Sequence, residues 1–266
     1  MSMPDDAPHN GLTVTGLTVS YGGDPVVDSV SLTVPLRRIT GLIGPNGAGK
    51  TTTFNACDGL VRAIAGSVVL LGQDVTTAST GARARAGLGR TFQRVEVCQA
   101  STVATNVALG REARLVGARP LRQLLASRGQ KRDISDATEA ALNVCGITHL
   151  AQRKVVTLST GQRRLVELAR VLAGGFEVLL LDEPSSGLDE QETRQFGDIL
   201  TKLIVDREVG ILLVEHDVEL VMATCSYLYV LDFGRLIFEG TPGQTRRSDV
   251  VRSAYLGDES GLAQAT

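Results

Sequence analysis

Long apolar runs are missing from this chain of 266 residues. A membrane-spanning helix needs about 18 or more consecutive apolar residues. Stretches such as Val178 to Leu181 are far shorter and suit buried strands. The opening "MSMPDDAPHNG" carries acid and proline where a secretory leader would carry an apolar core; residues 1–10 are therefore expected to be a disordered tail. A membrane role would need another chain as the anchor. Excess charge of one sign is also missing: 27 Lys and Arg face 29 Asp and Glu, a net charge of -2. That balance argues against bulk nucleic-acid binding, while leaving room for a local basic patch. The cysteines Cys57, Cys98, Cys145 and Cys225 include no CxxC pair. That spacing argues against both a cysteine metal site and a disulfide framework, and a reducing cytosol fits. Internal repeats and low-complexity tracts are absent too.

What is present is a pattern of strands and helices. "LTVTGLTVSY" and "VVDSVSLTV" alternate apolar and polar residues around a "GGDP" turn, as antiparallel strands do. "ITGLIG", "FEVLLLDEP" and "GILLVEHD" are short continuous apolar runs separated by helical stretches. Such runs predict a mostly parallel sheet covered on both faces, an α/β class. "CSYLYVLDFGRLIFEG" predicts a hairpin turning at "DFG", and "QRRLVELARVLAG" a helix with Leu165, Leu168, Ala169 and Leu172 on one stripe. Residues 102–150 read as helical, with Asp133 or Ser135 as a cap before "ATEAALNVCGI". Between Arg111 and Arg132 seven basic residues face the single acid Glu112. That segment reads either as a solvated helix face or as a surface near anionic lipid headgroups.

Residues 44–51, Gly-Pro-Asn-Gly-Ala-Gly-Lys-Thr, fit GxxxxGK[ST] between a strand and a helix. Glycines let backbone N–H groups converge on a phosphate at the positive end of the following helix. Gly44, Pro45, Asn46, Gly47, Ala48, Gly49, Lys50, Thr51 and Thr52 are thus the predicted cradle, with Lys50 on the β- and γ-phosphates and the Thr51 hydroxyl on Mg²⁺. Asp182 and Glu183 end a buried strand, where adjacent carboxylates are costly without a cation. Asp182 is the candidate second magnesium ligand, and Glu183 is then free to polarise an attacking water. A pair of helix-capping acids is the alternative. His216 follows the next buried strand. By itself it would be structural; beside the other two motifs it becomes a γ-phosphate contact.

"LSTGQRR" at 158–164, "LLLDEP", "SSGLD" and "VEHD" follow one another in an order that resembles the ATP-binding subunits of ABC transporters. The resemblance runs from residue 11 to about 258. It implies a P-loop NTPase core at 11–87 and 158–240 with an N-terminal antiparallel β-subdomain. A helical subdomain would occupy 88–157 and a C-terminal helical extension 241–266. It further implies that "RTFQ" carries the glutamine loop, with Gln93 sensing magnesium and the attacking water, and that Tyr21 stacks on adenine. Two subunits would sandwich two ATP molecules. Ser159, Gly161 and Gln162 would touch the nucleotide held by the partner, and residues 185–189 would line the dimer contact. Thr160 stands where "LSGGQ" is commonest in the family.

"GLGRTFQ" with "TVATNV", and the ending "VVRSAYLGDES", are similar to the branched-chain amino acid importer branch. That likeness implies an ATPase at the cytoplasmic membrane face, with permease subunits and, indirectly, an extracytoplasmic solute-binding protein as partners. Another solute (urea, an amide, a lipid) or a non-transport ABC ATPase is the alternative. The repair and translation branches carry coiled-coil or zinc insertions or tandem cassettes, which are lacking here. A degenerate subunit is excluded by the presence of Lys50, Gln93, Asp182, Glu183 and His216. The stretch after Gln93 departs from the branch, with Cys98, Ser101, Ala104 and Thr105 where bulky apolar residues are usual.

Overall fold

In the computed structural model, which describes residues 10–91, 97–116 and 128–256, the alternating N-terminal segments form β1 (Asn10–Val19) and β2 (Val27–Pro35), paired antiparallel as expected. β3 (Ile39–Ile43) leads into the glycine loop and α1 (Lys50–Asp58). β4 (Ala65–Leu70) and β5 (Gln73–Asp74) complete a four-stranded antiparallel sheet in the order β2-β1-β4-β5. After α2 (Thr80–Arg85) comes β6 (Leu88–Arg90), followed by α3 (Val103–Val116), α4 (Arg128–Val144) and α5 (Thr160–Gly174). β7 (Val178–Asp182), α6 (Glu190–Arg207), β8 (Gly210–Val214) and α7 (Val218–Thr224) follow. β9 (Tyr227–Asp232), β10 (Arg235–Gly240), α8 (Pro242–Arg247) and α9 (Asp249–Leu256) close the described chain.

The second sheet has the order β10-β9-β3-β8-β7-β6. Its pairings are parallel except for the β9–β10 hairpin. Side chains of β7 show why the apolar runs are continuous. Val178 and Leu180 enter a cluster with the antiparallel sheet and α1, while Leu179 and Leu181 enter a cluster with α5 and α6. Successive strand residues face opposite sides, so a sheet covered on both faces needs apolar residues at every position. Each fully buried leucine of this kind contributes roughly 1.5–3 kcal/mol. On α5 the predicted stripe faces inward: Leu168, Ala169 and Leu172 are buried and Leu165 packs at the margin.

Two boundaries differ from expectation. Residues 88–90, assigned from sequence to the start of the helical subdomain, form β6 and pair in parallel with β7. Three residues are too few to show a period, and their partner lies far along the chain. Neither Asp133 nor Ser135 caps a helix, because α4 already begins at Arg128. Asp133 instead receives two hydrogen bonds from the Arg111 guanidinium, each 2.9 Å. Arg114 likewise turns onto the carbonyl of Gly174, at 3.1 Å, and onto Glu177. Two basic residues of the 111–132 stretch therefore serve to pack helices. Among the described residues no helix is long and apolar enough to cross a membrane. The cysteines are unpaired, and burial pushes the thiols of Cys57, Cys145 and Cys225 up to about 12.

Candidate functional site

Gly44 begins the turn out of β3 with φ 151°, and a Cβ there would run into the Leu231 carbonyl. Only glycine lets the loop lie this close to the next strand. Gly49 has φ 95° and serves as the N-cap of α1, with no side-chain hydrogen bond to the helix end. The positive end of α1 therefore carries no side-chain acceptor from its cap. Lys50 folds back over the loop, its Nζ donating to the carbonyls of Gly44 at 2.6 Å and Pro45 at 2.9 Å. The hairpin after β9 braces the loop from behind through Gly234 N–H to Ala48 O at 3.1 Å. Asn46, Gly47 and Thr51 are exposed, and Thr52 is half-buried.

Strand register brings the other motifs beside the loop. Leu42 on β3 and Asp182 on β7 both lie opposite Val214 on β8. Two strand spacings of about 4.8 Å place them roughly 10 Å apart at one edge of the sheet. His216 leaves the strand between them, and its Nε2 lies 2.8 Å from Glu183 Oε1. Glu183 holds a backbone φ of 48°, unusual for a side-chain-bearing residue. Such a conformation costs about 1–3 kcal/mol and persists only where neighbours enforce it. The Asp182 side chain is almost wholly buried. Burial raises its carboxyl above the ordinary range, Arg90 lowers it, and the Glu183 charge raises it again. Its Oδ1 has no hydrogen-bond partner among the described residues.

Three residues that pattern reading did not single out belong to this neighbourhood. Arg90, at the end of β6, donates to Asn55 Oδ1 at 2.8 Å and pairs with Asp182 at 3.3 Å and Asp58 at 3.6 Å. It therefore ties the far end of α1 to the tip of β7. Glu215 is buried next to His216. Tyr255 of α9 lies beside Gly44, and burial raises its phenol to about 12 while the Gly44 backbone pulls it back. It closes one side of a cavity of about 70 Å³ bounded by Gly44, Pro45, Glu215 and His216. The available signals were a charge inside an apolar strand, an acid at the end of another, and an aromatic in the C-terminal "AYLG".

The remaining predicted residues lie apart from these. Ser159 is the N-cap of α5 in a reciprocal capping box: its Oγ accepts the Gln162 N–H and the Gln162 Oε1 accepts the Ser159 N–H, both 3.2 Å. A Cβ on Gly161 would collide with the Glu192 carboxylate of α6. An open cavity of about 520 Å³ borders Ser159, Gly161 and Gln162. Tyr21 is 63% exposed in the turn between β1 and β2. Gln93 lies outside the described residues.

A model of the ABC transporter family matches residues 27–186. The chain is 35% identical to the high-affinity branched-chain amino acid transport ATP-binding protein BraF of Pseudomonas aeruginosa, over 93% of this chain and 98% of that protein. It is 36% identical to the lipopolysaccharide export system ATP-binding protein LptB of Haemophilus influenzae, over 94% and 99% respectively. Among solved structures, the ADP conformation of MJ1267, an ATP-binding cassette of an ABC transporter, superposes with a TM-score of 0.82 at 26% identity, covering 94% of this chain and 99% of that one.

Proposed function

The chain belongs to the ABC transporter family of ATP-binding ATPase subunits, and from that premise we propose that it is the motor of an importer for branched-chain or related amino acids. The observation that carries the chemistry is the 2.8 Å contact between Glu183 and His216 at the strand edge beside the phosphate loop. In this reading Glu183 takes the proton of the attacking water. His216 and Lys50 meet the charge on the γ-phosphoryl group, and Gln93 helps to orient the water. Fixed charges aimed at the phosphoryl oxygens supply most of the rate enhancement in such reactions. The 44–52 loop grips the phosphates and Tyr21 stacks on adenine.

The residues present fit a magnesium ion. Asp182 offers a buried carboxylate oxygen without a hydrogen-bond partner, and Thr51 an exposed hydroxyl; Gln93 would be the third protein ligand. Magnesium bound with a nucleotide takes its other ligands from phosphate and water, so a dedicated protein cage is not needed. When bound it neutralises charge on the β- and γ-phosphates. Arg90 keeps the Asp182 carboxylate oriented through its other oxygen.

Ser159, Gly161 and Gln162 are assigned to the nucleotide of a second subunit, either a copy or a related chain, with residues 185–189 along the contact. The core would comprise 11–87 and 158–240, with the helical subdomain beginning after β6 and ending near 157, and the extension 241–266 last. A permease helix would dock on the surface after Gln93, fixing the ATPase at the cytoplasmic membrane face. Asn106 shapes that surface by accepting the Cys98 N–H at 2.6 Å and donating to the Cys98 carbonyl at 3.0 Å. Small side chains at Ser101, Ala104 and Thr105 then call for a knob different from the usual one.

BraF-like identity, "GLGRTFQ" and "VVRSAYLGDES" support an amino-acid solute. The comparable identity to LptB makes lipid export the second reading. Co-purification from membranes decides between them. Amino-acid import requires a permease pair with an extracytoplasmic binding protein whose loaded form stimulates ATP hydrolysis. Recovery of a lipid-extracting complex unaffected by amino acids would overturn it.

A further inference from the structure

Where β7 leaves the sheet, its ladder to β8 leaves a backbone donor to be satisfied. The Glu183 N–H still reaches the Val214 carbonyl at 2.8 Å. Pro184 has no N–H to give. The Ser185 N–H comes next, on a residue only 8% exposed, after β8 has already ended at Val214. A buried N–H without an acceptor costs as much as a lost hydrogen bond. Glu215 supplies the acceptor with its side chain: Oε1 takes the Ser185 N–H at 2.7 Å. Its other oxygen, Oε2, takes the N–H of His216 at 3.2 Å. Glu215 is itself 5% exposed. Burial raises its carboxyl, while N–H donors from Ser185, His216 and Asp217 pull it back.

We propose that Glu215 is a positioning residue that joins the 185–189 segment to the Glu183–His216 pair. The inference rests on the ATPase reading above. One carboxylate grips two backbones: that of Ser185, two residues past Glu183, and that of His216. Glu183 keeps its φ of 48° because its own N–H is held by Val214 and the chain beyond Pro184 is held by Glu215. The separation of Glu183 Oε1 from His216 Nε2 thus depends on a carboxylate that need touch neither nucleotide nor water. When a second subunit presses on residues 185–189, the displacement reaches His216 through Glu215. The outward-facing segment and the hydrolytic pair therefore move as one body.

The test uses the full chain with the membrane subunits that co-purify with it. E215Q keeps the shape but presents one acceptor and one NH₂ group, so one of the two buried N–H groups loses its partner. The expected result is a fall in kcat of about tenfold or more, with KM and ATP affinity within about twofold of wild type. In the E183Q chain purified without the membrane subunits, where ATP holds the closed dimer, adding E215Q should lower the dimer fraction seen by light scattering. That readout does not depend on turnover. If E215Q is recovered unfolded, E215D carries the same test, since it keeps the charge but withdraws both oxygens by one methylene. Unchanged kcat and dimer fraction would overturn the proposal. So would a loss of ATP affinity equal to the loss of kcat, or failure of both variants to fold, each of which marks a purely structural role. Absence of ATP hydrolysis by the wild-type complex would instead refute the ATPase reading.

Discussion

Helices α1 and α5 both have a glycine at or just inside their first turn and both present a positive end, yet the two ends are finished in different ways. Gly49 caps α1 with no side-chain hydrogen bond, so no side chain of the cap stands over that helix end. Ser159 and Gln162 cap α5 reciprocally, so two N–H groups of that end are met by its own side chains. Its Gly161 also lies against the Glu192 carboxylate, which opposes an incoming anion. In the proposed reading the first end grips phosphate within one chain. In the same reading the second, with its capping box formed and Gly161 beside Glu192, meets the nucleotide of another subunit. That difference suits a split site whose second half engages only when another subunit arrives.

The largest expected effect falls on the strand edge beside α1. Glu183→Gln keeps the side chain's size but removes the base, and kcat should drop by roughly 10²–10⁴-fold. ATP binding should survive and a dimer should be trapped, as measured by light scattering. Normal turnover in this variant would remove the proposed role of Glu183. Next in size is Lys50→Ala, which acts on the grip itself. Losing a charge-assisted contact to phosphate should weaken ATP binding by roughly thirty- to a hundredfold, measured by calorimetry. Weakened binding with Lys50→Ala and lost turnover with Glu183→Gln would separate gripping from hydrolysis within the first half-site.

Ser159→Ala sharpens the contrast from the other side. The isolated chain should bind ATP as wild type does, because α5 does not face its own phosphate loop in this reading. Turnover of the assembled complex should fall by about tenfold, the size expected when one phosphate contact is lost. Losing the cap should also cost about 1 kcal/mol of stability, visible in denaturant unfolding. A weaker Kd for ATP in the isolated chain would break the comparison, since it would make the two helix ends parts of one site.

How legible these two regions were in sequence differs as well. The loop was readable because its glycines answer to a local backbone demand, φ 151° at Gly44 and 95° at Gly49. β3, β7 and β8 were readable because burial on both faces makes their residues uniformly apolar. Arg90 and Glu215 were not, because their roles lie in partners remote along the chain. Arg90 meets Asp182 92 positions away and Glu215 meets Ser185 30 positions back. β6 was missed for a related reason: three residues carry no periodicity, and only pairing with β7 makes them a strand. At α4 the cap signal misled because Asp133 bonds across to Arg111 on α3 rather than along its own helix.

The smallest effect concerns Tyr21, whose ring stands away from the protein on a turn that closes without it. Ser20 Oγ donates to the Gly23 carbonyl at 2.7 Å and accepts the Gly22 N–H at 3.2 Å, while the Val26 N–H meets the Val19 carbonyl at 2.8 Å. Removing an exposed ring from such a turn should change stability by no more than about 0.5 kcal/mol. In the proposed reading what remains is the stacking of one ring on one base, about 1 kcal/mol at the lower end of such contacts, or roughly a fivefold change in Kd. Tyr21→Ala should therefore bind ATP about fivefold more weakly, and Tyr21→Phe as wild type. Inorganic tripolyphosphate separates base from grip: its affinity should be the same in wild type and Tyr21→Ala if α1 and Lys50 hold the phosphates without help from the ring. Equal ATP affinity in Tyr21→Ala and wild type would mean that the base takes no hold on Tyr21 and that the α1 end alone accounts for nucleotide binding.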